Sequence, residues 1–271
     1  MDIKRIMSAL LGFPLVVVIL TFGNKYVVDI FLTAIAFLAM QEYCNAVQKD
    51  SKPIRWLGYM SCIFIAFVHI VPERFPKEIV NNILFLSVPI IIAISFLQII
   101  ITNMKTNFKD AAYTIFGILY IVICVSCIAL IRGLNNGRIL VWYAIIAAWG
   151  TDTFAYLIGK RFGKHKFSKV SPKKSVEGCI AGIVGAVITV LIYTYVINNI
   201  YDLGYSYIYI SIITIILSII GQIGDFTASS IKRYVDVKDY SNLIPGHGGM
   251  LDRIDSLMFL APFAYIFFNM M

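Results

Sequence analysis

The apolar residues of this chain gather into runs of about 20, the length a helix needs to cross the hydrocarbon core of a bilayer. Nothing else in the sequence constrains the fold as much. Nine runs fall near residues 6–23, 26–45, 56–72, 80–102, 112–131, 139–158, 178–199, 206–226 and 256–271. The last is short for a complete crossing. A transmembrane β-barrel would instead show strands of about ten residues with a period of two, and no such alternation is present. Composition agrees: 14% of the 271 residues are charged, against about a quarter in a soluble domain. The expected fold is all-α, a polytopic integral membrane protein with about nine transmembrane helices. The first run follows Lys4 and Arg5, as in a signal peptide, but lacks a small-x-small cleavage site and leads directly into further runs. It reads as the first membrane helix.

Basic residues in the loops set orientation. With the N-terminus in the cytoplasm, the far side holds only Lys25, Arg74, Lys77, Arg132 and Arg138, and the rest of the 23 basic residues fall on the cytoplasmic side. The net charge of +8 therefore concentrates on one face, where it attracts anionic head groups and nucleotides. No nucleic-acid partner is expected. A bacterial inner membrane is the expected location, with the active site on the cytoplasmic side. Residues 1–135 form a scaffold of apolar spans with short loops, compatible with a homodimer through those spans. Residues 136–271 hold two long polar loops and most of the distinctive residues. No internal repeat of the kind many transporters carry is evident. Of the five cysteines, Cys124 and Cys127 have the spacing of a redox or metal pair. Without a second Cys or His pair nearby, they read as two small residues one turn apart on a buried helix.

Acids inside membrane spans are costly and often functional. Asp29, Glu42, Asp152 and Asp225 are the candidates. Asp29 and Glu42 sit near span ends, and structural or interfacial roles suit them as well as catalytic ones. Asp152 and Asp225 each open a dense polar motif. In the first, Trp149 to Lys166, Asp152, Tyr156 and Gly159 share one helix face, and Lys160, Arg161, Lys164 and Lys166 follow. Downstream, Lys173 and Lys174 after a rigid Ser-Pro suit phosphates as point charges. In the second motif, a helix continuing past Asp225 would align Asp225, Ser229, Lys232 and Arg233 on one stripe. A carboxylate beside cations at a membrane surface suits a hard metal ion with phosphate ligands. Then come Pro245-Gly246-His247-Gly248-Gly249, whose glycines can expose backbone N–H groups to an anion. Lys238-Asp239 precede this turn, and Asp252-Arg253-Ile254-Asp255 follow it.

The pattern Ser229, Lys232-Arg233, Lys238-Asp239, His247-Gly248-Gly249, Asp252-Arg253 and Asp255 resembles the signature of the phosphatidate cytidylyltransferases, or CDP-diglyceride synthases. Upstream, Ser171, Pro172, Lys173, Lys174, Glu177 and Gly178 match a second motif of that family, with Ser175 where Thr is more usual. The Asp152 segment is similar to a third. The resemblance is specific over residues 149–255.

It implies that phosphatidate from the inner leaflet and CTP give CDP-diacylglycerol and pyrophosphate, with Mg²⁺, alone or with a second cation, as cofactor. On this resemblance Asp225, Asp252 and Asp255 are the expected metal ligands, and Asp152 either joins them or orients the nucleotide. Lys232, Arg233, Lys238 and Arg253 would clamp phosphates. Lys173 and Lys174 would hold the CTP tail or the lipid head group. Ser229, Asp239, Gly248 and Gly249 belong to the substrate site, and His247 either donates to a phosphate or acts as the pivot of the glycine turn. The nucleophile is an already anionic phosphate oxygen, so catalysis should come from positioning and charge neutralisation. Two other readings use the same residues: a CTP-dependent lipid kinase of the polyprenol type, which would release CDP, and a non-enzymatic transporter, which would not turn over CTP.

Overall fold

The computed structural model describes residues 3–168, 170–172, 174–246 and 248–271. Helices dominate, and the described residues contain no strand, only two isolated bridges, Lys166 with Ser175 and Ile244 with Gly248. The chain divides into two compact units, residues 1–133 with 235–253, and residues 134–234 with 254–271.

The first unit begins with α1 (Ile3–Phe22) and α2 (Lys25–Val47). The Asn24 side chain caps α2 by accepting from the Val27 N–H at 2.9 Å. The third apolar run does not form one continuous helix. It forms α3 (Arg55–Ile63), a 3₁₀ turn (Phe64–Phe67) and the short α4 (Ile70–Arg74). Pro72 lacks the N–H that would bond the carbonyl of Val68, so the ladder breaks there. α5 (Lys77–Ile101) follows. α6 (Phe108–Gly117) passes through one π-type stretch (Ile118–Ile123) into α7 (Cys124–Gly133). α6 starts with a capping box, in which Asn107 and Asp110 each accept the other's backbone N–H.

Three buried acids of this unit are each satisfied from within it. Both carboxylate oxygens of Asp29 lie within 2.9 Å of His69 Nδ1. Asp110 accepts from Ser51 Oγ and the Lys52 N–H, both at 2.6 Å. Glu42 accepts from three donors of the segment 235–253, described below. Cys124 and Cys127 lie one turn apart on α7, and none of the five cysteines is in a disulfide.

The second unit consists of α8 (Gly137–Phe162), α9 (Val176–Tyr201), α10 (Tyr207–Tyr234) and most of α11 (Leu251–Asn269). α8 and α9 approach closely because small residues line their seam. A Cβ on Gly182 would lie 2.8 Å from the Thr151 carbonyl, and one on Gly178 would lie 3.0 Å from Gly159 Cα. Thr151 Oγ1 donates to Ser218 Oγ of α10 at 2.7 Å, tying the third helix to the pair. α11 packs on α10 at Gly224, where a Cβ would strike Phe259.

Helices occupy all nine apolar stretches. Among the described residues, five helical segments are long and apolar enough to cross a membrane: Lys25–Val47, Phe108–Gly133, Gly137–Phe162, Val176–Tyr201 and Tyr207–Tyr234. The chain is a membrane protein. α8 and α10 run beyond their apolar stretches, to Phe162 and Tyr234, and so carry the polar motifs on rigid helix ends rather than on loops.

Candidate active site

The end of α8, the loop after it and the start of α9 form one structure. The chain leaves α8 at Gly163 and folds back as a short hairpin. His165 and Val176, and Phe167 and Lys174, are joined by Val176 N–H to His165 O at 2.9 Å and Phe167 N–H to Lys174 O at 3.1 Å. Two side chains hold this hairpin to α9. Ser175 caps the helix by accepting from the Gly178 N–H at 3.1 Å, the role its hydroxyl shares with the more usual Thr. Glu177, in the first turn, accepts from the Lys164 N–H at 3.1 Å, the His165 N–H at 3.2 Å and His165 Nδ1 at 2.6 Å. A carboxylate at this position also favours the helix dipole.

Between this hairpin, α8 and α10 lies a cavity of about 640 Å³, within the range of small-molecule sites. Asp152, Tyr156 and Gly159 line it, as their shared helix face predicts. Lys160, Lys166 and Lys174 bring three ammonium groups, Asp225 a second carboxylate, and Ser171, Ser175 and Gln222 further polar groups. With three lysines against two aspartates, the lining suits a polyanion. Lys174 pairs with Asp225 and lies 4.4 Å from the centre of the Phe226 ring. Phe167 of the hairpin stacks on that same ring at 4.8 Å. α10 continues unbroken past Asp225, so Ser229, Lys232 and Arg233 follow it on the helix, with Ser229 Oγ 3.5 Å from Asp225 Oδ1.

Asp255 is buried, 8% exposed, within electrostatic reach of Asp225, Lys232 and Asp152. Asp152 Oδ1 lies 3.5 Å from the hydroxyl of the next residue, Ser256. Three carboxylates so placed offer the hard oxygen donors that Mg²⁺ takes, and a buried acid facing two others is stabilised by a cation. The donor chemistry of the second unit thus fits the metal. The side chains are not drawn together as a ready ligand set: the described residues contain no group of three His, Cys, Asp or Glu arranged to hold an ion. Lys174 supplies the positive charge at Asp225 instead.

The remaining motif residues belong to the segment 235–253 of the first unit. Gly246 and Gly248 both adopt positive φ, 78° and 84°, and the Ile244 N–H donates to the Gly248 carbonyl at 2.9 Å, closing a tight turn. A side chain at either glycine would be strained. The N–H groups that follow are taken up by carboxylates of the protein. Gly249 N–H donates to Asp252 Oδ2 at 3.0 Å, which also accepts from Tyr240 N–H at 2.9 Å. Met250 and Leu251 N–H donate to Glu42 Oε1 and Oε2, each at 2.8 Å. Lys238, Asp239 and Arg253 are exposed on this segment. Lys173 and His247 lie outside the described residues.

Several lining residues carry no strong sequence signal. Lys160 and Lys166 belong to the polar motif that Asp152 opens, but the sequence assigns neither an individual role. Gln222 could have been found: it is a lone amide three residues before Asp225 in an apolar run, and its Nε2 donates to the Cys179 carbonyl at 3.2 Å.

A helical membrane protein with a basic, acid-containing cavity between helix ends is suited to bringing a polyanion to a membrane surface. The sequence model of the Cytidylyltransferase family matches residues 3–271, and the chain belongs to that family. Its relatives include the phosphatidate cytidylyltransferase of Bacillus subtilis (strain 168), 32% identical over 265 residues, 97% of this chain and 96% of the relative. Those of Staphylococcus haemolyticus (strain JCSC1435) and Staphylococcus saprophyticus are each 32% identical over 262 residues, 95% of both chains.

Proposed function

We propose that this chain transfers the cytidylyl group of CTP to phosphatidate, giving CDP-diacylglycerol and pyrophosphate. The observation that carries the mechanism is the cavity that sets Asp152 and Asp225 beside Lys160, Lys166 and Lys174. A phosphate oxygen of phosphatidate attacks the α-phosphorus of CTP, and the bond to the bridging α–β oxygen breaks, releasing pyrophosphate. The attacking oxygen is already anionic, so no residue need act as a base. The obstacle is the mutual repulsion of two anions, and the lysines meet it by spreading positive charge along the triphosphate. Lys173, next to Lys174 in sequence, is assigned the same task. Lys232 and Arg233 at the end of α10 are assigned to phosphate oxygens, and so, on the sequence pattern, are Lys238 and Arg253. Mg²⁺, when bound, would supply charge neutralisation at the phosphates and the leaving pyrophosphate. Asp225 and Asp255, with Asp152, are the residues of the second unit that would hold it, and the assignment of Asp252 rests on sequence spacing. Swinging Lys174 from Asp225 onto a phosphate would release that carboxylate for the metal.

The loop charges support nine crossings with the N-terminus and both polar loops in the cytoplasm, where CTP is soluble and inner-leaflet phosphatidate is within reach. A homodimer through the N-terminal helices is compatible with this topology.

The test uses the full chain in detergent with phosphatidate, Mg²⁺ and CTP labelled on the α-phosphate. Label should enter a lipid as pyrophosphate accumulates, and chelation of Mg²⁺ should abolish both. Label left in water-soluble CDP would make the protein a lipid kinase. A folded protein that consumes no CTP would overturn the enzymatic reading in favour of transport.

A further inference from the structure

We infer that Glu42, on α2, is a positioning residue for cytidylyl transfer: it stands in for the missing cap of α11 and so sets the shape of the segment that carries Lys238, Asp239, Asp252 and Arg253. The inference rests on the cytidylyl-transfer reading above. Residue 250, just before α11, is a methionine, whose side chain cannot satisfy the helix's first N–H groups. The acceptor comes from about 200 residues earlier in the chain. Glu42 Oε1 accepts from Met250 N–H at 2.8 Å and Ser241 Oγ at 2.6 Å, and Oε2 accepts from Leu251 N–H at 2.8 Å. Glu42 is 4% exposed. These are charge-assisted bonds at the positive end of a helix dipole, where a carboxylate is most favoured.

Residue 249 has to be glycine for this contact, because a Cβ there would lie 2.5 Å from Glu42 Oε2. Asp252 serves the same turn from the other side, through Gly249 and Tyr240. The two carboxylates together fix the direction in which α11 begins, and that direction sets where Asp252 and Arg253 point. Glu42 is not among the residues that line the cavity, and its effect should fall on turnover rather than on nucleotide binding. A misplacement of about 1 Å at a reacting group can cost on the order of 10²-fold.

Glutamine at this position preserves the shape but turns an NH₂ toward backbone N–H donors. Glu42→Gln should therefore lower kcat by about 10- to 100-fold while KM for CTP stays within about threefold. Hydrogen exchange at the amides of residues 249–251 should accelerate in the same protein. Glu42→Asp keeps the charge with shorter reach and should recover part of the loss. Wild-type kcat and exchange in folded Glu42→Gln would overturn the inference, as would a rise in KM for CTP that accounts for the whole loss. If Glu42→Gln does not fold, Glu42→Asp decides on the same readouts: intermediate kcat and exchange support the inference, and wild-type values overturn it. Absence of labelled lipid from the wild-type protein would instead bring down the cytidylyl-transfer reading, and this inference with it.

Discussion

The two units of this protein both place acids in apolar surroundings but treat them in opposite ways. In the first, Asp29, Glu42 and Asp110 are buried and meet donors from their own unit: His69, the start of α11, and the Ser51–Lys52 turn. In the second, Asp152 and Asp225 line an open cavity opposite lysines, and Asp255 lies buried within electrostatic reach of Asp152, Asp225 and Lys232. An acid inside a membrane span is costly in either case. Where its donors are protein N–H and O–H groups, it holds the fold. Where it faces a cavity and other ionic groups, it is available to a substrate or a metal.

The sharpest way to break this contrast is Asp225→Asn, which keeps the size and removes the charge. It should lower kcat by at least about 10²-fold, with the protein still eluting as folded material in detergent, because Asp225 is one of the carboxylates that would hold Mg²⁺, whose charge stabilisation is worth several kcal/mol. The measurement is labelled lipid formed per folded protein. Retained activity would move Asp225 from chemistry to structure.

Lys174→Met tests the cavity from its basic side. Removing one charged contact to the triphosphate should raise KM for CTP by about tenfold, since hydrogen bonds to charged groups are worth roughly 1.5–3 kcal/mol. Initial rates over a range of CTP concentrations would check it. An unchanged KM would mean that Lys174 serves only to hold Asp225.

Asp110→Asn should show the opposite signature in the first unit. It weakens acceptance from Ser51, Lys52 and Asn107 and should cost about 1–3 kcal/mol of stability. Thermal unfolding in detergent should register that loss while kcat per folded molecule stays within about twofold. A selective loss of kcat would erase the distinction between the units.

Much of this was legible in the sequence. The apolar runs announced every helix, because burial in lipid leaves helices as one of only two ways to satisfy a spanning backbone. The shared face of Asp152, Tyr156 and Gly159, and the helical stripe from Asp225 to Arg233, follow from local periodicity. The break at Pro72 was open to the same local reasoning, although hydropathy alone passed over it. What the sequence did not disclose are pairings between distant residues. The capping of α11 by Glu42, the pairing of Lys174 with Asp225 and the return of 235–253 to the first unit depend on tertiary packing, which leaves no periodic trace. Glu177 is intermediate: its place in a recognised motif was visible, but its grip on the 164–165 backbone was not.

The central claim is that CTP binds in the cavity of the second unit, and lysine footprinting tests it most directly. The full chain in detergent would be treated with an amine-reactive reagent, with and without CTP and Mg²⁺, and modification at each lysine read by mass spectrometry. The account predicts that CTP protects Lys160, Lys166 and Lys174 and leaves Lys49 and Lys105 of the first unit unchanged. Equal reactivity of the three cavity lysines with and without CTP, at concentrations that support turnover, would contradict it.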